Sequence, residues 1–176
     1  MPIISEARQY NGFEHKVERL DLSSVVAEVQ STLGFQLLVK ESKHANGTQG
    51  LRKIIDAAFE RIPGWTKITV GGTDWTKSNG RGATVGVEVQ VSGRSDMLAV
   101  DIMHLKEDLE NGTIDVGVII VPDDYLSPFL TDRTPNYATA IKHVDDRASH
   151  LPISVIAFRH DGFGPALPKM RTNLGR

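Results

Sequence analysis

Two polar residues interrupt an apolar strand pattern at Glu88 and Gln90, in the stretch GVEVQVSG of residues 86–93. The alternation is typical of a β-strand with valines on one face and the two polar side chains on the other. Asp74 lies in the preceding predicted strand, and Asn79-Gly80 between the two strands is a strong hairpin signal. Hairpin pairing would therefore bring the carboxylates of Asp74 and Glu88 close together.

Two neighbouring carboxylates repel each other unless a cation lies between them. Oxygen ligands suit Mg²⁺, which keeps several waters and also binds substrate phosphates. Such an ion supplies a hydroxide-like nucleophile and stabilises charge on a phosphoryl group. By strict alternation Asp74 would face the same way as Ile68 and Val70, so a bulge at Gly71-Gly72 is needed to turn it toward Glu88. The other interpretation is a polar strand face in contact with solvent, and the residues alone leave both open.

The elements that would position these groups follow from hydrophobic periodicity. The sequence predicts strands over 5–10, 65–76, 83–92, 113–121 and 153–158, and helices over 21–33, 51–62, 96–110 and 134–148. The strand at 113–121 is almost entirely apolar, which favours burial on both faces. Thr134 is the predicted cap of the last helix and Pro135 its first residue. The expected fold class is α/β (or α+β), with a mixed central sheet flanked by helices.

Composition sets outer limits on function. The chain of 176 residues fits one domain spanning 1–176, and it has no cysteine for a disulfide or a thiolate metal site. Its formal net charge of −2 provides no global attraction for nucleic acid but leaves a local basic patch open. No apolar run reaches membrane-spanning length and no signal pattern begins the chain, so we expect a cytoplasmic protein with no membrane partner.

The order Asp, hairpin, Glu-x-Lys is the signature of the PD-(D/E)xK nuclease superfamily, with Gln90 here in place of the lysine. The form V-E-V-Q resembles the type II restriction endonucleases of the BglII and BstYI group. Four further segments resemble that group in the same order over residues 9–122: YNGFEHKV, DAAFERIPGW, TDWTK and IDVGVIIVP. The resemblance implies a restriction-endonuclease-like fold.

The resemblance also implies roles for the hairpin residues. Asp74 and Glu88 would be metal ligands together with the backbone carbonyl of Val89. Gln90 would take the lysine position, where it can orient a water or a phosphate but cannot act as a base. Because extra residues lengthen this hairpin, Asn79 remains an alternative to Asp74.

Other positions are assigned by the same resemblance. On the preceding helix, Asp56 is the first match for a polar residue near the attacking water, and Glu60 is the second. The candidate DNA contacts are Ser92, Arg94, Arg133, Thr134, Asn136 and Tyr137. Arginine and asparagine are suited to bidentate readout of guanine and adenine. Helix capping by Thr134 and Pro135 explains those two residues without DNA.

The function implied is that of a type II, Mg²⁺-dependent endonuclease that cuts double-stranded DNA at a short palindrome. It would act as a homodimer with one cut per subunit, in a restriction system that also has a methyltransferase. One alternative is a DNA-binding protein of the same fold with weakened catalysis, suggested by Gln90 and the long hairpin. A non-specific or repair nuclease of the superfamily is another. A protein-interaction module unrelated to DNA is a third, toward which only the slightly acidic composition leans.

Overall fold

A six-stranded mixed sheet lies at the centre of the computed structural model, which describes residues 3–92 and 95–169. In spatial order its strands are β1 (Ile3–Gln9), β7 (Ile153–Arg159), β6 (Val116–Pro122), β5 (Thr84–Val89), β4 (Trp75–Ser78) and β3 (Thr66–Lys67). Strands β5, β6 and β7 run parallel to one another, whereas the other neighbouring pairs are antiparallel. A separate parallel pair joins β2 (Leu38–Val39) to β8 (Gly162–Phe163).

Helices cover both faces of this sheet. The helices are α1 (Phe13–Arg19), α2 (Ser23–Ser31), α3 (Gln49–Arg61), α4 (Ser95–Glu110) and α5 (Tyr137–Arg147). Apolar residues of α1, α2 and α3 pack on the face that includes Val87 and Val118, and those of α4 and α5 pack on the face that includes Ile119. Every residue of β6 is buried, because its alternate side chains enter both cores. Within 3–92 and 95–169, no helix has the length and apolar character needed to cross a bilayer.

The predicted fold class is confirmed, as is burial of both faces of the strand at 113–121. The helices predicted over 51–62 and 96–110 agree with α3 and α4 to within a few residues. The short α1 was not predicted, because its seven residues place only Phe13 and Val17 in the core. Two buried residues carry too weak a periodic signal to distinguish a helix.

The prediction of a single strand over residues 65–76 was wrong. Residues 65–76 form two short antiparallel strands, β3 and β4, with Lys67 opposite Trp75. The chain reverses between them at Gly71 and Gly72, which have φ angles of 64° and 76°. The glycine pair therefore makes a turn rather than the predicted bulge, since both residues adopt the left-handed conformation that glycine tolerates.

The predicted start of the last helix was also wrong. Asn136, and not Thr134, caps α5, because its side-chain oxygen accepts a hydrogen bond from the backbone N–H of Thr139. Pro135 accordingly lies before the helix rather than in its first position. Threonine and asparagine are both good capping residues, so side-chain type alone does not locate the first turn.

Candidate active site

The hairpin register places Asp74 next to Glu88. Strand β4 begins at Trp75, which pairs with Val87, so Asp74 and Glu88 are the next residues along the two strands. Continued pairing would place Thr73 opposite Val89, but Thr73 donates its backbone N–H to Asp108 instead, at 3.0 Å. The ladder therefore stops before Val89. This leaves the N–H and C=O of Val89 for side chains rather than for the neighbouring strand.

Asp74 binds the backbone N–H of Val89. Its Oδ2 accepts a hydrogen bond from the Val89 N–H at 2.9 Å. Its carboxyl group is also hydrogen-bonded to that of Glu88, whose residue is only 2% exposed. Burial, followed by the charge of Asp74 and by this hydrogen bond, raises the pKa of Glu88 to about 10. A carboxyl group held in this way favours either a proton or a cation beside it.

Gln90 lies on the same strand face as Glu88 and is also buried. Its amide nitrogen lies 2.7 Å from Oδ2 of Asp101 on α4 and 3.4 Å from Oε2 of Glu88. Because Asp101 Oδ2 accepts this hydrogen bond, the nitrogen of Gln90 is directed to α4 and its oxygen is left for other partners. Burial raises the pKa of Asp101, and the hydrogen bond from Gln90 partly offsets that effect.

Arg52 on α3 binds the backbone carbonyl of Val89. Its Nη1 donates to the Val89 carbonyl at 2.9 Å, and its Nη2 lies 3.2 Å from Oδ1 of Asp74. Its Nε donates to Asp56 at 3.0 Å. Neither Arg52 nor Asp101 was predicted from the sequence. The only signal for Arg52 was its i, i+4 spacing to Asp56, and Asp101 was one polar residue among many in its helix.

Asp56 faces the hairpin but does not carry a free carboxylate oxygen. Oδ1 accepts from Arg52 and from the Trp75 indole at 2.9 Å, and Oδ2 accepts from Lys67 at 2.9 Å. Burial alone would raise the pKa of Asp56, but these hydrogen bonds outweigh it and hold the pKa below its usual value. Glu60, the second candidate on this helix, is exposed.

Asn79 lies away from the two carboxylates, in the turn of the hairpin. Its oxygen accepts from the backbone N–H groups of Arg81 and Ala83, at 2.9 and 3.0 Å. Its amide nitrogen donates to the carbonyls of Leu20 and Asp21. These bonds account for the residue as part of a tight turn, and the structure brings Asp74 rather than Asn79 to Glu88.

The candidate DNA-contact residues are spread over two loops. Ser92 is half-buried after β5, and Arg94 lies outside the described residues. Arg133 is exposed, with a left-handed φ of 64° that is uncommon for a residue with a side chain. Thr134 is buried and donates its hydroxyl to the carbonyl of Thr131, so this group is used within the loop. Asn136 caps α5 and Tyr137 begins it, half-buried.

The donor set at the hairpin fits a hard divalent cation. Asp74, Glu88 and the Val89 carbonyl offer only oxygen atoms, and these are the ligands that Mg²⁺ prefers. Among the described residues, no group of three or more His, Asp or Glu side chains is placed to hold a metal ion. Two carboxylates would therefore need the backbone carbonyl to complete the protein's share of the ligands.

Comparison with solved structures identifies the class of fold. The structure is similar to the crystal structure of restriction endonuclease BglII complexed with a DNA 16-mer. The TM-score is 0.62 at 15% identity, and the match covers 89% of this chain and 78% of that chain. At this identity the likeness establishes the fold alone, which is that of a restriction endonuclease.

The family follows from the sequence model of restriction endonuclease BglII/BglIII, which matches residues 10–158. The chain belongs to this family, and the resemblance drawn from the hairpin motif is confirmed. Membership places the chain among the site-specific DNA endonucleases. No curated protein matches the sequence.

Proposed function

We propose that the chain is a Mg²⁺-dependent endonuclease that hydrolyses phosphodiester bonds of double-stranded DNA at the Asp74–Glu88 pair. The observation that carries this proposal is the contact between these two carboxyl groups. They lie next to Val89, whose backbone N–H and C=O are hydrogen-bonded to the side chains of Asp74 and Arg52. Placing the buried carboxyl group of Glu88 beside that of half-buried Asp74 costs folding free energy, which a bound partner can offset. A bound divalent cation is such a partner.

The residues would divide the work in the following way. Asp74, Glu88 and the Val89 carbonyl would hold the Mg²⁺ ion, which when bound lowers the pKa of its water and stabilises charge on the phosphate. Gln90 would orient a water, whose O–H group its side-chain oxygen accepts, because Asp101 holds its nitrogen. Gln90 has no basic group at neutral pH, so it contributes position and not proton transfer.

Asp56 is assigned a supporting role in this proposal. Arg52, Lys67 and Trp75 donate hydrogen bonds to both of its carboxylate oxygens, so neither oxygen is left for an attacking water. We therefore place it as the group that positions Arg52 beside the hairpin. This differs from the role near the water that the sequence resemblance implied.

For DNA recognition, the proposal retains the two loops named above. Ser92 and Arg94 follow the strand that carries Glu88, and exposed Arg133 begins the segment leading to α5. We propose a homodimer that reads a short palindrome, since a two-fold dimer presents the same contacts to both half-sites. In a restriction system, a methyltransferase that modifies the same sequence would protect the host DNA.

Cleavage of phage or plasmid DNA in Mg²⁺ tests the proposal. The purified protein is expected to give discrete fragments, and Asp74→Asn and Glu88→Gln are expected to give none. Asn79→Ala is the matched control, because the structure uses its side chain only in the hairpin turn and at the carbonyls it contacts. Full cleavage by either carboxylate variant would contradict the site, and a smear of fragments would contradict site specificity.

A catalytically weakened DNA-binding protein is the second candidate, and the specific observation that favours it is Gln90 at the lysine position. It predicts salt-dependent DNA binding in Ca²⁺ and no cleavage in Mg²⁺ or Mn²⁺. Gln90→Lys distinguishes the two, because it returns a charged donor to the site. Cleavage by this variant alone would show that the glutamine is the cause of the lost activity.

A further inference from the structure

The guanidinium of Arg52 binds the same oxygen atoms that the proposed metal needs. Its Nη1 contacts the Val89 carbonyl at 2.9 Å and its Nη2 lies 3.2 Å from Oδ1 of Asp74. The side chain is largely buried, with 21% of its surface exposed, and Asp56 holds its Nε at 3.0 Å. The positively charged side chain of Arg52 therefore already contacts two of the three proposed metal ligands.

A guanidinium and a divalent ion do not share these oxygens without cost. Both are positive, and two positive charges a few ångströms apart in a partly buried site repel strongly. The second cation can approach Asp74 and Val89 closely only if the first moves back. Arg52 is not sealed in the core, since 21% of its side-chain surface is exposed, and Asp56 can remain the partner of its Nε while the two Nη groups move.

We propose that Arg52 is a positioning residue that holds the site in its metal-free form, and that a divalent cation displaces it from Asp74 and from the Val89 carbonyl. This inference rests on the proposed function, since it concerns the same ligands. In the metal-free protein, Arg52 satisfies the carbonyl of Val89 and balances the charge of Asp74. Metal binding then has to compete with an internal cation, which weakens the apparent affinity for the ion.

Mn²⁺ binding to the protein without DNA tests this competition, measured by electron paramagnetic resonance. Arg52→Met removes the competing charge and is expected to tighten Mn²⁺ binding at least about tenfold, which corresponds to about 1.4 kcal/mol. Arg52→Lys keeps a charge but loses the forked geometry and should fall between the two. Arg61→Met, at the exposed end of the same helix, should bind like the wild type. Unchanged or weaker binding by Arg52→Met would overturn the inference.

A second measurement avoids dependence on how well Arg52→Met folds. In the wild-type protein, the arginine Nη–H signals, which report on the contacts to Val89 and Asp74, can be followed by nuclear magnetic resonance while Mg²⁺ is added. The Arg52 signal, assigned by its loss in Arg52→Lys, is expected to shift with the same saturation as metal binding. A signal that stays unchanged at saturating Mg²⁺ would show that Arg52 keeps its contacts, and would overturn the inference.

Asp74→Asn separates failure of this inference from failure of the proposed function. If Mn²⁺ binding depends on Asp74 but not on Arg52, only the competition is refuted. If no variant shows Asp74-dependent binding, the metal site itself is refuted and the inference with it. Binding that requires Asp74 and tightens when Arg52 is removed supports both.

Discussion

Two buried carboxylates lie at the ends of neighbouring parallel strands and have opposite surroundings. Asp123 follows β6 and is fully buried. Its oxygens accept from Arg159 Nε at 2.6 Å and from the backbone N–H groups of Tyr125 and Leu126, at 3.1 and 2.7 Å. Glu88 in β5 is equally buried, but its close neighbours include the carboxylates of Asp74 and Asp101.

The difference separates a carboxylate with partners in its own chain from the one for which we propose a bound cation. Asp123 already has a cation and backbone donors from its own chain, so it needs nothing further. Glu88 instead has acidic neighbours. Among the described residues, its only side-chain donor is the amide nitrogen of Gln90, at 3.4 Å. Burial of a charge is tolerated where partners compensate for it. By this criterion Asp123 stabilises the β6–α5 connection, whereas the surroundings of Glu88 favour the cation proposed above.

The largest effect is expected on cleavage. Glu88→Gln removes a negative ligand and should lower the cleavage rate by about 1,000-fold, the scale of losing one strong electrostatic contact in an active site. Circular dichroism should show that the variant remains folded. Asp123→Asn is the comparison, with cleavage per folded molecule close to that of the wild type. Equal losses in the two variants would erase the distinction between the carboxylates.

The reverse effect is expected on stability. Asp123→Ala removes the acceptor for two backbone N–H groups and for Arg159, and should lower the free energy of unfolding by about 2 kcal/mol. Urea denaturation followed by fluorescence measures this change. Glu88→Gln in the same experiment without metal should cost much less. A destabilisation by Glu88→Gln as large as that by Asp123→Ala would mean that Glu88 also has a structural role.

A smaller effect on cleavage is expected from substitution of Asp101, the acidic neighbour of Glu88 that holds Gln90. Asp101→Asn weakens the acceptor that fixes the nitrogen of Gln90, and should lower kcat about tenfold, as loss of a supporting contact does at metal sites. KM for DNA should change little, because Asp101 is not a proposed DNA contact. Steady-state cleavage kinetics separate the two constants. A change in KM alone would move Asp101 from positioning Gln90 to binding DNA.

A further effect is expected on the pH dependence of stability. The pKa of Glu88 in the folded protein, about 10, lies above its ordinary value of 4.5, so the folded state binds this proton more tightly than the unfolded chain. Its stabilising contribution is complete below the ordinary value and is lost as pH rises toward the folded pKa. In EDTA, Tm of the wild type should therefore fall relative to that of Glu88→Gln between pH 5 and pH 9, by several degrees. Parallel melting curves across this range would contradict the protonated pair.

The meeting of Asp74 and Glu88 was predicted from the hairpin and its approximate register, although the bulge expected to turn Asp74 toward Glu88 does not form. The turn at Gly71-Gly72 was misread because two glycines permit either a bulge or a reversal, and the choice depends on β3 pairing back onto β4. Arg52 was beyond prediction for a different reason. Its role depends on the rotation of α3 over the sheet and on the ladder ending before Val89, and neither is encoded by local spacing.

The choice of Asn136 as the cap shows the same limit on a smaller scale. Thr134 and Asn136 are both suitable by type, and tertiary packing buries Thr134 in the loop, where its hydroxyl donates to Thr131. The DNA-contact assignments remain predictions, since they depend on the bound duplex. What sequence patterns supply here is the pair of carboxylates and the family, and what the structure adds is the set of groups around them.

The most direct test of the central claim is the position of a divalent ion in a crystal of this protein grown with Mn²⁺. The anomalous signal of Mn²⁺ identifies the ion without reference to activity. The account predicts a peak at about 2.1 Å from oxygens of Asp74 and Glu88 and from the Val89 carbonyl, with no peak beside Asp123. DNA cleavage by the same preparation, with the Mn²⁺ peak absent from the Asp74–Glu88 pair or located elsewhere, would contradict it.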